Sequence, residues 1–343
     1  MPEPSVEPRL PRQKAPARWR KALPLLGLLL LAWVLSRIDL HALGSAFGRI
    51  SGRAVLEAAL LFAFNLLLKS FRWQRMLVIQ DLRLPTPVAI AAFLSSQFYG
   101  QVTLGRLGEL YRAEALIERG VPLGMALSSS FYDRLLDLAL VVLVAAVLGA
   151  SVFGDWRLAV WAGSSMLFLI GFGIAVLRAR ALSRFSAVAR LRAFIDARKG
   201  TPGMLGLGAS LAAGLGPLLR PGFLLEAMVW TLVAWFGYFA SLWCVAVGMG
   251  LVVTPVLLTA GAAFGALSAL LPVTISGIGA REVIFMHVLA LEHVSAEHAV
   301  VLSLLHLSIM MGVAIALGLM GVLARHQQQR VAALTQVERP GRS

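Results

Sequence analysis

From Ala262 to Glu282 the sequence reads AAFGALSALLPVTISGIGARE. It is apolar enough to enter a bilayer, then is interrupted by Pro272, Ser276, Gly277 and Gly279, with Arg281 and Glu282 directly behind. This pattern leaves few ways to fold. A bilayer core offers no water to unpaired backbone groups. A broken helix with a charge pair beside it is tolerated there only where it lines a polar cavity within the protein. The same design occurs half a chain earlier. Ala91-Ala92-Phe93, Val102-Thr103-Leu104 and Gly108 recur 171 positions later as Ala262-Ala263-Phe264, Val273-Thr274-Ile275 and Gly279. Glu109 follows the first break as Glu282 follows the second. Two interrupted apolar segments at matching places in two halves point to a site between repeats.

The rest of the chain supplies the bilayer context. Of its 343 residues 59% are hydrophobic, and the mean hydropathy is +0.81, which identifies a polytopic membrane protein. The net charge of +14 sits between apolar runs, so it fits anionic lipid headgroups and not nucleic acid. A single cysteine, Cys244, excludes an internal disulfide framework. No P-loop, no zinc-ligand spacing and no Gly-x-Ser-x-Gly elbow occurs, so no cofactor, no metal and no enzymatic activity is expected.

Six full spans are expected: 22–36, 54–68, 125–150, 158–177, 224–251 and 299–323. The first is short, but Lys21 and Arg37 can snorkel from its ends; a signal peptide is the alternative, without a small-x-small cleavage site to support it. Residues 1–21 form a basic arm, 203–219 an interfacial segment and 324–343 a polar tail. Basic residues set the orientation: six in the arm, four in the Lys69–Arg83 loop, seven in the loop at 178–200 and four in the tail. All four regions are therefore expected on the cytoplasmic side of a bacterial inner membrane. By parity, the broken element at 85–118 enters and leaves on the cytoplasmic side and that at 255–291 enters and leaves on the outer side. The expected fold is all-α, with about six spans and two oppositely oriented re-entrant helical hairpins in an inverted repeat; parity alone leaves open whether each hairpin is half-depth or two full spans.

Charged residues gather at the two breaks. Arg106, Glu109 and Arg112 are three apart and share a helical face, interrupted by Gly105 and Gly108. Asp133, Arg134 and Asp137 follow at the start of the next long helix, the two aspartates one turn apart. Arg281 and Glu282 close the second break. Arginine presents a planar donor fork suited to phosphate, and a neighbouring carboxylate can orient it or exchange a proton. Helix pinning by ion pairs is the plainer role for such groups, and helix packing the plainer role for Glu57 and Asn65. His287 and His306 are expected as packed or hydrogen-bonded histidines.

At these residues the sequence resembles the flippase-like membrane region of lysylphosphatidylglycerol synthases and the stand-alone proteins built from it. The carrying motifs are Gly105-Arg106-Leu107-Gly108-Glu109-Leu110-Tyr111-Arg112, Tyr132-Asp133-Arg134-Leu135-Leu136-Asp137, and the run from Pro272 to Glu282. With the span pattern, the resemblance covers about residues 22–323. Two departures stand out: Leu104 and Gly105 hold a place where the family tends to have proline, and Ser276-Gly277 replaces a double glycine. No segment of this chain resembles the soluble aminoacyl-transfer domain, so synthase activity is not implied. What the resemblance implies is movement of a lipid or lipid-linked headgroup between leaflets, the lipid being an anionic phospholipid, a polyprenyl-phosphate or a glycolipid. The expected substrate-binding residues are Arg106, Glu109, Arg112, Arg134, Asp137, Arg281 and Glu282. A second reading is a non-transporting partner that presents a lipid intermediate to a separate glycosyl- or aminoacyl-transferase. A third, an integral membrane enzyme acting on a lipid phosphate, lacks an identifiable nucleophile or metal set. Oligomers are compatible with the glycine-rich segments.

Overall fold

A computed structural model describes residues 50–154, 204–269 and 277–337, with positions 48, 156, 157, 160 and 164 beside them. The expected spans at 22–36 and 158–177, the arm at 1–21, the loop at 178–200 and Pro272 lie outside the described residues. Within them the structure is helical and contains no strand. Nine α-helices follow in order. They are α1 Gly52–Ile79, α2 Thr86–Val102, α3 Glu114–Ile117, α4 Leu123–Phe153, α5 Met204–Leu218, α6 Pro221–Gly248, α7 Pro255–Ser268, α8 Ala280–Leu289 and α9 Ala296–Val337. A 3-10 segment, Leu104–Ala113, separates α2 from α3. Helices α1 and α6, with Leu123–Val152 of α4 and Ala296–Ala324 of α9, are long and apolar enough to cross a membrane.

The long helices carry exposed apolar stripes. On α1 the exposed large apolar residues are Leu56, Leu60, Phe64, Leu67, Phe71 and Val78, which form one stripe at helical spacing. On α6 the stripe is Leu225, Val229, Leu232, Phe236 and Val247. In water such stripes would drive aggregation; in hydrocarbon they are the solvated surface. The opposite faces meet each other. Helices α1 and α6, each of 28 residues, pack antiparallel along their whole lengths. At one end a Cβ placed on Gly248 would stand 2.3 Å from Ala54 Cβ. At the midpoints Asn65 Nδ2 donates to Ala234 O at 2.6 Å. At the other end Arg75 Nε donates to Glu226 Oε1 at 2.8 Å.

Packing beyond this pair is reciprocal between the halves. Helix α2 of the first half lies on α9 of the second, and α7 of the second lies on α4 of the first. Each broken element also folds back on itself, α2 against the 3-10 segment and α7 against α8. The first return is tight. Thr103 Oγ1 accepts the amide of Gly108 at 2.7 Å, and this brings Gly108 so near α2 that a Cβ there would sit 2.2 Å from Tyr99 O. No L side chain fits without moving backbone. Gly108→Ala is expected to destabilise the protein by about 1–3 kcal/mol, read as a lower thermal-unfolding midpoint in detergent.

One expectation is corrected, and two further segments are now seen as helices. The second span does not end at Leu68: α1 runs on to Ile79, and Arg72, Trp73, Met76 and Leu77 are buried in it. Lys69 and Arg72 are thus not loop charges but inward-facing members of a helix, because each finds a carboxylate there. The segment expected to be interfacial, 203–219, is helix α5 packed on α4, with Leu215 and Leu218 buried. The expected tail is helical through Val337, since residues 324–337 are mostly alanine, leucine, valine, glutamine and arginine, with no proline or glycine among them.

Candidate functional site

Helix α4 brings Asp133 and Asp137 to one face, and α1 presents Lys69 and Arg72, three residues apart, to it. Arg72 is fully buried. Its Nε and Nη2 donate to Asp133 Oδ1 at 2.9 and 2.6 Å, Nη2 reaches Asp137 Oδ1 at 2.9 Å, and Nη1 donates to Thr231 Oγ1 at 2.6 Å. Lys69 Nζ donates to the other oxygen of Asp137 at 2.7 Å, and Trp235 Nε1 donates to its Oδ1 at 3.1 Å. Arg112 arrives from the 3-10 segment. Its Nη2 donates to Asp133 Oδ2 at 2.8 Å and its Nε to Ser130 Oγ at 3.0 Å. The guanidinium carbon of Arg112 lies 4.9 Å from the Phe93 ring and 5.4 Å from that of Trp73. Charges alternate along this row: Lys69, Asp137, Arg72, Asp133, Arg112. Removing an ion from water costs several kcal/mol, and this alternation of opposite charges offsets it.

Beside the row, Arg134 pairs with Glu109. The 3-10 segment explains why Glu109 and Arg112 both face α4: at three residues per turn, positions i and i+3 eclipse. The second break ends on Gly277 and Gly279, at φ +83° and +87°, a region that β-carbons oppose. This turn starts α8, and Glu282 at its first turn accepts the amide of Gly279 at 2.6 Å and the hydroxyl of Ser303 at 2.8 Å. Arg281 is 3% exposed. Its Nη2 donates to His306 Nδ1 at 2.7 Å, its guanidinium carbon lies 5.2 Å from the Phe285 ring, and its Nε has no hydrogen-bond partner. Among the described residues no carboxylate pairs with Arg281.

These side chains surround a cavity of about 150 Å³. Its polar lining is Asn65, Lys69, Gln97, Glu109, Asp133, Arg134, Asp137 and Arg281, and its apolar lining includes Phe62, Phe93, Trp235 and Tyr238. Both halves contribute. At roughly 30 Å³ per water, the room is that of about five waters or one phosphate group.

Of the residues expected to bind substrate, Glu109, Arg134, Asp137 and Arg281 line the cavity. Arg112 and Glu282 stand behind the wall, the first holding Asp133 and the second capping α8. The Arg106 side chain lies outside the described residues, and Gly105 is seen as backbone of the 3-10 segment. Lys69, Gln97 and Trp235 line the cavity without having been singled out as ligands. The available signal was the three-residue spacing of Lys69 and Arg72 within an otherwise apolar helix, matching the one-turn spacing of Asp133 and Asp137. Asn65 and His306 are hydrogen-bonded inside the bundle as expected, and Glu57 pairs with Arg53 at the exposed start of α1. No group of histidine, cysteine or carboxylate side chains suited to a metal occurs among the described residues.

No curated protein and no solved structure matches the chain. A family model does, and its match over residues 22–318 takes in α1 to α8 and most of the apolar part of α9, so the chain belongs to the family described as the lysylphosphatidylglycerol synthase TM region.

Proposed function

We propose that this membrane protein carries the headgroup of an anionic lipid between leaflets through the central cavity, its tails remaining in hydrocarbon between the helices. The observation that carries the reading is Arg281: a buried guanidinium facing the cavity with an unpartnered Nε and no carboxylate among the described residues. The surrounding charges are Lys69, Arg72, Arg112, Arg134 and Arg281 against Glu109, Asp133, Asp137 and Glu282, which leaves one cation in excess. An isolated buried cation is costly, and an entering anion relieves that cost. Phosphate suits it, since the guanidinium fork matches two phosphate oxygens. Arg134, held by Glu109, and Lys69, held by Asp137, then supply further donors as the group passes.

The reading takes the two broken elements as opposed re-entrant hairpins of an inverted repeat. The antiparallel pairing of α1 with α6 and the reciprocal packing of α2 on α9 and α7 on α4 support that arrangement. It also places both termini on the cytoplasmic side of a bacterial inner membrane.

The test is purified protein in liposomes carrying fluorescent phosphatidylglycerol, with outer-leaflet label bleached by a membrane-impermeant reductant. Active vesicles should lose well over half the fluorescence without any added partner. Vesicles that stop at half, while the protein still retains the lipid, would sink the transport reading and leave the presenting role.

A further inference from the structure

Arg281 does have one partner, and its direction is fixed by chemistry. Arginine carries only donors, so His306 Nδ1 must accept the 2.7 Å bond from Nη2. The ring proton of a neutral imidazole then sits on Nε2, which lies 2.8 Å from Ser241 Oγ, and the serine hydroxyl donates onward to Tyr238 O at 2.8 Å. The relay Arg281, His306, Ser241, Tyr238 O runs one way, and His306 and Ser241 are fully buried. Other groups face it from the neighbouring elements. Helix α8 adds Glu282, held by Ser303 one turn before His306; α6 adds the Tyr238 ring, 5.4 Å away; α1 brings Lys69 and α2 Gln97 to the cavity at its mouth. A carboxylate facing Nδ1 is not among them.

We infer that His306 is a proton site coupled to occupation of the cavity: an anion that draws Arg281 off Nδ1 leaves that nitrogen to take a proton from water. The inference rests on the lipid-headgroup reading above. In the empty state Arg281 both occupies Nδ1 and repels a second ring proton. Turned toward a phosphate, it does neither, and the buried Nδ1 lone pair is left unsatisfied beside a new negative charge. The step is balanced: one hydrogen bond, Nη2 to Nδ1, is exchanged for a guanidinium–phosphate bond. One proton passes from solvent to Nδ1 to form an imidazolium, so anion and proton enter together with no change in the net charge of the site. The bound proton would be the device by which a proton gradient drives the lipid.

The experiment uses the full chain in weakly buffered detergent with a pH dye, titrated with dioctanoyl phosphatidylglycerol, whose phosphodiester does not titrate near neutrality. Binding should take up protons, approaching one per lipid bound near pH 6. In His306→Gln the amide oxygen can still accept from Arg281, so the lipid should still bind, about tenfold more weakly than wild type near pH 6 because the coupled proton is lost, while proton uptake falls to zero. Lipid binding by wild type with no proton uptake, or equal uptake by His306→Gln, would overturn the proton site and leave the cavity reading standing. Failure of wild type to bind the lipid at all would overturn both. Should His306→Gln not fold, the wild-type stoichiometry decides alone.

Discussion

Asp133→Asn is expected to cost this protein about 3–5 kcal/mol, a fall in its unfolding midpoint on the order of 10 °C in detergent. The change is isosteric, so the loss is one of charge. Asp133 joins two fully buried arginines: its Oδ1 holds Arg72 and its Oδ2 holds Arg112. Without it Arg72 keeps Asp137 and Thr231, but Arg112 keeps only Ser130 and the rings of Trp73 and Phe93. A buried cation with no counter-charge is the expensive product. Removing that cation as well should therefore restore part of the loss. The double variant Asp133→Asn with Arg112→Met is expected to be more stable than Asp133→Asn alone, by about 1–3 kcal/mol. If the second substitution only adds to the first, the row does not act as a coupled unit.

Much of this arrangement is legible in the sequence, and the boundary has a physical cause. Local rules worked where the answer is local. The breaks at Gly108 and at Gly277 and Gly279 read as interruptions because glycine and proline do the same thing in any helix; a Cβ at Gly108 would meet Tyr99 O at 2.2 Å, and Gly277 and Gly279 have positive φ. The spacing of Asp133 and Asp137 placed them on one face because the helix repeat is invariant. What failed was deciding which face meets which. Charge signals membrane exit in a sequence, so Lys69 and Arg72 read as loop residues there. Their partner carboxylates lie more than 60 positions away, and nothing local distinguishes an arginine at an interface from one meeting a distant aspartate. Arg112 shows the converse. It does share a face with Glu109, yet from behind the cavity wall it reaches Asp133, which lines the cavity, and does not itself enter it. The same reasoning separates Glu282 from Arg281: adjacent residues on a helix point about 100° apart, so one lines the cavity while the other caps its own helix.

Arg281 should behave in the opposite way to Asp133, and the contrast separates a residue kept for binding from one kept for folding. Arg281→Met removes a buried cation that has a neutral imidazole and a phenyl ring for company and no carboxylate among the described residues. Thioether and methylenes fill much of the same space. The variant is expected to fold within about 1 kcal/mol of wild type, because removing an uncompensated buried charge offsets the His306 Nδ1 left without its donor. Binding should suffer heavily. A desolvated charge-assisted contact is worth roughly 2–4 kcal/mol, so affinity for phosphatidylglycerol should fall about 30- to 1,000-fold, with translocation falling in step. Arg281→Lys keeps the charge and loses the fork, and an intermediate loss of about tenfold is expected. Thermal unfolding and lipid binding measured on the same preparations check both halves. A destabilised Arg281→Met that still binds lipid would make this arginine one more helix pin, equivalent to Arg72. A stable protein that no longer binds would leave it one role, because a buried cation that folding does not need is retained for the anion it meets.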